Sequence, residues 1–294
     1  MRFFLSLLVD GALAGAVYAL VALAFVIVYK TSRMINFALG EWAMVGSRLV
    51  ATGLHPLGLG LPLAVGGACA VMVGAALGFN RLVVRRLVGR PVIALIMVTL
   101  GLGTLMRGAA AVLFQDVPGS IPLPIPTETL EVYGVPVATD RLVAAVLAAA
   151  CVAAVSWFFR RTRTGVAMRA IADDPQAASS AGIDVDHHLS ITWAMVAVIA
   201  TIAGVLWAFV SGGTFGVVLV GLKIFPIVIL GGLDSVPGTV VGAVVIGILE
   251  SLAAGYIDPH LGGGFSHIAS YLVLIAMLFV RPYGLFGRPA IERV

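Results

Sequence analysis

An all-α polytopic membrane protein is the fold class this sequence predicts, and three observations predict it. Of its residues, 61% are hydrophobic and 11% charged, where a soluble globular chain carries roughly a quarter charged. Several uncharged runs approach or pass the roughly 20 residues needed to cross a bilayer core. The arginines border those runs instead of forming one patch, so the net charge of +4 does not describe a nucleic-acid binder. About eight to ten transmembrane helices are expected, broken or re-entrant segments included, in a single domain over 1–294. Cys69 and Cys151 both lie inside apolar runs, so neither a disulfide framework nor a metal site is indicated.

Taken in order, the first span covers 5–29, with Gly11 and Gly15 one turn apart for close helix contact. A cleaved signal peptide fits poorly, because Lys30-Thr31-Ser32-Arg33 follows where small residues would be needed. The next run, 36–52, is interrupted by Gly40 and carries Glu41 and Arg48; 53–62 is rich in turn residues. Residues 62–80 span again, with Gly74 and Gly78 as a second packing pair, and Arg81, Arg85, Arg86 and Arg90 close the run. Residues 91–115 form a span containing Arg107. The proline-rich stretch 115–140 holds Asp116, Glu128, Glu131 and Asp140 and no positive charge. Residues 142–159 span once more; 189–211 follows and breaks at Ser211-Gly212-Gly213. Residues 217–232 are apolar but hold Lys223 and Pro226, and 238–255 and 265–280 complete the set before a basic tail from Arg281.

Positive charge at span ends sets orientation. With about nine crossings, Lys30 and Arg33, the 81–90 cluster, the 160–188 loop and the tail all fall inside. The N-terminus and the acidic 115–140 stretch then fall outside.

Between the spans, Arg163–Asp186 is the longest hydrophilic interval after Arg141. It reads as a short helix opening at Gly165 and carrying Val166, Met168 and Arg169. Asp174 then caps a second short helix with Pro175 in its first turn and Gly182 at its end. Its Ala/Ser surface suits docking against another protein; a solvated linker is the other reading.

No catalytic centre is indicated. The only lysines, Lys30 and Lys223, follow Tyr29 and Leu222, so the Gly-Lys-Ser/Thr of a nucleotide-binding loop is missing. His187 and His188 are adjacent and cannot ligate one metal from a single helix face. Ionisable groups at membrane depth are costly and mark candidate sites: Glu41, Arg48, Arg107, Lys223 and Glu250. Glu41 and Arg48 share a helix face, either lining a polar path or tying neighbouring helices through ion pairs; Glu250 has Arg107 or Lys223 as its candidate partner. The break from Gly231-Gly232 through Ser235 to Gly238 either offers a helix N-terminus to a solute or makes an ordinary inside turn.

Three stretches in this order resemble, along almost the whole length, the LivH-type permease subunit of branched-chain amino acid ABC importers. The first runs from Gly15-Ala16-Val17-Tyr18-Ala19-Leu20 through Val28-Tyr29-Lys30-Thr31 to Asn36-Phe37-Ala38-Leu39-Gly40-Glu41; Leu39 stands where the family often has histidine. The second is Gly165-Val166-Ala167-Met168-Arg169-Ala170 through Ala177-Ala178 to Gly182-Ile183. The third runs from Lys223-Ile224-Phe225-Pro226 through Gly231-Gly232 and Ser235-Val236-Pro237-Gly238 to Glu250.

The resemblance implies a bacterial inner-membrane pore subunit that binds no cofactor itself. Its implied partners are a second, LivM-like permease or a copy of itself, two cytoplasmic ATPase subunits carrying ATP and Mg, and a periplasmic binding protein that selects the solute. It makes the 160–188 interval the loop that couples to the ATPases, with Gly165 and Gly182 bounding its helices. Arg169, Ala170 and Asp173 then meet the ATPase surface, and Ala177 and Ala178 supply a close-packed face. Asn36, Glu41, Arg48, Gly231, Gly232, Ser235, Gly238 and Glu250 become candidates for the translocation pathway. Branched-chain or related amino acids are the implied solutes, although related permeases serve urea, short amides and aromatic acids. An autonomous ion-coupled carrier or channel, with Glu41 and Glu250 handling the ion, is the competing function.

Overall fold

The computed structural model describes residues 2–87, 91–124, 129–132, 135–213, 215–281 and 284–287. Arg90, Glu128 and the basic tail beyond 287, which entered the charge pattern above, lie outside the described residues. The described residues are all-α apart from one hairpin. Helix α1 (Arg2–Ser32) leads through a short break to α2 (Leu39–Leu54). Then α3 (Leu61–Phe79) runs on through a π-helical segment (Asn80–Val84) into a last α turn, α4 (Arg85–Leu87). After α5 (Val92–Leu113) come strands β1 (Thr129–Val132) and β2 (Val135–Ala138), paired antiparallel with Thr129 opposite Ala138. Helix α6 (Thr139–Arg161) is followed by two short helices, α7 (Arg163–Asp173) and α8 (Pro175–Ser180). The order ends with α9 (Val185–Ser211), α10 (Val217–Gly231), α11 (Val236–Tyr256), α12 (Asp258–Leu261) and α13 (Phe265–Val280).

Six of these stretches are long and apolar enough to cross a membrane: α1, α3 with its continuation to Leu87, α5, α6, α9 and α11; α10 and α13 are shorter apolar helices. The sequence boundaries hold to within a few residues because the breaks are chemical. Gly212 ends α9 in the left-handed conformation at φ 71°, and Pro91 and Pro237 stand at helix starts. The hairpin was not anticipated. Pro136 lies opposite Glu131 in it, and a two-stranded ribbon consists only of edge strands, where a missing N–H is tolerated.

The chain folds as two compact units. One comprises Met1–Val26, Ile125–Ala149 and Lys223–Val294. In it, the first part of α1 lies against α11 with backbones in contact. A Cβ on Gly11 would sit 2.6 Å from the Ile248 Cα, and one on Gly15 2.7 Å from the Val244 Cα. In lipid no hydrophobic force drives helices together, so this close approach supplies the attraction. The α10–α11 turn is knotted from glycine: Gly231 and Gly238 face each other, leaving no room for a side chain on either. Residues 284–287 lie across this turn, Leu285 N–H donating to the Leu230 carbonyl at 2.8 Å and Phe286 N–H to the Gly231 carbonyl at 3.2 Å.

The other unit comprises Ile27–Pro124 and Ala150–Leu222. Its core is α2, packed between α3 and α9. Gly46 allows Thr201 of α9 within 2.8 Å of where a Cβ would be, and Gly204 of α9 rests on the Ala43 carbonyl. Phe79 meets both Trp42 and Trp193 edge-on, with the Phe79–Trp193 centroids 5.1 Å apart, and the two tryptophans are tilted against each other. By contrast, a Cβ on Gly74 or Gly78 would meet nothing, so this pair packs against no other part of the chain as described.

Candidate functional site

The hydrophilic interval between α6 and α9 is a capped element. Thr162 starts α7 by accepting the Gly165 N–H at 3.0 Å. Gly165 is therefore the third residue of the helix and not its first. It must be small for a different reason: a Cβ would lie 2.6 Å from the Phe159 Cα. Met168 and Ile171 turn inward and are buried, while Val166 is 51% exposed. Asp174 closes α7 and caps α8, accepting the N–H of Gln176 at 2.9 Å and of Ala177 at 3.0 Å. Beyond α8, Gly182 takes φ +84°, and the N–H of Ile183 returns to the Ala178 carbonyl at 3.0 Å. Asp184 then caps α9 through the His187 N–H at 2.9 Å. Side-chain caps thus open α7, α8 and α9 in succession.

Two ion pairs join charged groups of different helices, Glu41 with Arg107 and Lys223 with Glu250. Glu41 on α2 is buried and bonded to Arg107 of α5, whose side chain is 57% exposed. Arg48, two turns along α2, goes elsewhere: it donates to the Val117 carbonyl at 2.7 Å and lies 4.2 Å from the Phe215 ring centre. Glu41 and Arg48 share a face without sharing a bond. In the other unit, Lys223 Nζ donates to Glu250 Oε2 at 2.8 Å, and the Tyr18 hydroxyl donates to the same oxygen at 3.0 Å. Glu250 Oε1 is buried with no hydrogen-bond partner. Asn36 bridges the break before α2 by accepting the Ala38 N–H at 3.0 Å, and its amide nitrogen is likewise buried and unpartnered.

A family model described as the branched-chain amino acid transport system permease component matches residues 7–281. The chain belongs to this permease family. The high-affinity branched-chain amino acid transport system permease protein LivH of Salmonella typhimurium is 30% identical over 318 residues, covering 99% of this chain and 98% of the relative. LivH of Escherichia coli K12 is also 30% identical, over 314 residues, with the same coverage. The permease protein BraD of Pseudomonas aeruginosa is 28% identical over 309 residues, again across 99% of this chain and 98% of the relative. Among solved structures, PsaBC from Streptococcus pneumoniae in complex with Fab aligns with a TM-score of 0.52 over 94% of this chain and 92% of that one. At 15% identity the likeness is one of fold.

Within this permease the sequence-derived residues fall into separate places. Asp173, Ala177, Ser179 and Ser180 are exposed, and Arg169 and Ala170 are half-buried. Ala178 is 5% exposed, so it packs into its own chain. Gly231, Gly232 and Gly238 are taken up by backbone contacts: a Cβ on Gly232 would lie 2.5 Å from the Gly287 N. Ser235 caps α11, accepting the Gly238 N–H at 3.1 Å. Sequence reasoning gave no role to Tyr18, Asn80 or Ser190, although each makes a buried or interhelical hydrogen bond. A polar side chain within an apolar run was the available signal for Tyr18.

Proposed function

We propose that this permease is the pore subunit of an ATP-driven importer that takes branched-chain amino acids from an external binding protein into the cytoplasm. The observation that carries this reading is the family match along residues 7–281, which spans both units and the capped interval together. The partners are a second permease, LivM-like or a copy of this chain, two cytoplasmic ATPases holding ATP and Mg, and the binding protein. The chain lies in the bacterial inner membrane with its N-terminus outside and its C-terminus inside, as the arginine distribution favours.

The α7–α8 interval is the coupling element. Because Thr162, Asp174 and Asp184 cap successive helices, the interval moves as one body when the ATPases close on ATP. Val166, Arg169, Ala170, Asp173 and Ala177 present the docking surface, with Gly165 and Gly182 holding its two ends. Within their own units, Asn36, Glu41 and Arg48, and Gly231, Gly232, Ser235, Gly238 and Glu250, are the candidate pathway positions. Specificity comes mainly from the binding protein, since both carboxylates at membrane depth, Glu41 and Glu250, are already held in ion pairs.

The test is co-purification and reconstitution with the gene products encoded beside this chain. ATP-dependent leucine uptake into proteoliposomes, requiring loaded binding protein, is the expected result. Arg169→Glu and Ala177→Trp should release the ATPases while membrane insertion persists. Leucine flux by the chain alone, driven by a proton or sodium gradient, would instead establish the ion-coupled carrier.

A further inference from the structure

Two irregularities interrupt the regular backbone of the second unit, and the capped interval is bonded to both. Arg33 is the one non-glycine residue with positive φ, 54°, among the described residues. It stands in the break between α1 and α2. Asn80–Val84 is the one π-helical segment among them, at the end of α3. Such backbone persists only where surrounding structure holds it, and it concentrates at functional sites and switch regions.

Arg33 reaches the C-terminus of α7. Its guanidinium donates to the Ala172 carbonyl at 3.4 Å and lies 5.6 Å from the Tyr29 ring centre. Ala172 is in the last turn of α7, where carbonyls lack helical partners and a cation complements the dipole. The other end of the interval, the first turns of α9, is tied to the π segment. Ser190 Oγ accepts from Asn80 Nδ2 at 3.0 Å and from Arg85 Nη2 at 3.1 Å, and donates to the Asp186 carbonyl at 2.9 Å. Arg85 also pairs with the Asp186 carboxylate at 3.4 Å. Asn80 opens the π segment and Arg85 follows its last residue. In an α-helix, residues five apart would point roughly 140° from each other. The wider π turn brings them to one face, so both reach a single hydroxyl.

We infer that Arg33 and the Asn80–Arg85–Ser190 cluster are positioning residues that carry motion of the coupling interval into the membrane helices. Arg33 transmits it to the α1–α2 break, and the cluster transmits it to α3. This rests on the coupling role proposed above. Neither anchor forms part of the exposed docking surface, so their loss separates grip from transmission.

The experiment uses the full importer in proteoliposomes with loaded binding protein, reading leucine transported per ATP hydrolysed alongside ATPase co-purification. Arg33→Gly keeps the backbone conformation and removes the side chain; Ser190→Ala removes the shared hydroxyl. Both variants should retain wild-type amounts of ATPase while the transport ratio falls several-fold. Arg33→Lys and Ser190→Thr, which restore a donor and a hydroxyl, should recover most of the ratio. An unchanged ratio in both variants overturns the inference, as does loss of the ATPases, which would make these residues supports of docking. Should Arg33→Gly fail to insert, the Ser190 variants decide the matter alone. A wild-type assembly that retains no ATPase sinks the importer reading itself, and the anchors with it.

Discussion

Lys223 and Glu250 illustrate how little freedom a buried charge has. Both side chains are 9% exposed, and their bond at 2.8 Å is supported by the Tyr18 hydroxyl. Removing one partner strands the other, at a cost of about 3–5 kcal/mol, whereas replacing both with apolar groups is often neutral. Lys223→Met should therefore lower the thermal midpoint in detergent sharply, and Lys223→Met with Glu250→Leu should regain most of it. A double variant as unstable as the single one would count against the pair as the cause. The sequence named both residues but left Arg107 open as a partner, because pairing between distant helices depends on their rotation. Asp258, outside the spans, offers a second test. The Ser266 hydroxyl at 2.7 Å and N–H at 3.0 Å hold its carboxyl below the usual carboxylate range. This contribution to stability is complete above the ordinary carboxylate value and is lost as pH falls through the depressed one. Ser266→Ala should move the Asp258 titration upward toward that ordinary value, as read by carbon NMR of aspartate-labelled protein.

Helices and their ends were legible because apolar runs and caps are local. Asp174-Pro175 and Gly182 marked α8 correctly, and Ser211-Gly212-Gly213 marked the end of α9. What a helix touches was less legible. Gly11 and Gly15 fulfil the packing expected of their spacing, while Gly74 and Gly78, at the same spacing, face open space. Spacing says which residues share a face and cannot say what lies opposite. The contrast predicts that Gly15→Val will force α1 from α11 and cost roughly 1–3 kcal/mol or more. Gly74→Val should leave the isolated chain's melting unchanged. Equal destabilisation by the two would show that the glycines matter for helix propensity and not for approach. The hairpin escaped notice because its strands are four residues each and the second contains proline, below what periodicity resolves.

For the whole molecule, the arginine distribution makes a directional claim. Cysteine at exposed Ser179, in a background lacking Cys69 and Cys151, should react with an impermeant maleimide only from the cytoplasmic face. Cysteine at Asp116 should react only from outside. Reversal of either result would invert the topology and remove the motor's access to the capped interval. The strip at 284–287 has a practical corollary. Cutting the chain before Gly284 would uncover the Leu230 and Gly231 acceptors and unroof a turn whose Gly231, Gly232 and Gly238 have no side chains to refill the gap. Expression designs that trim the tail for crystallisation would then be selecting a floppier transporter.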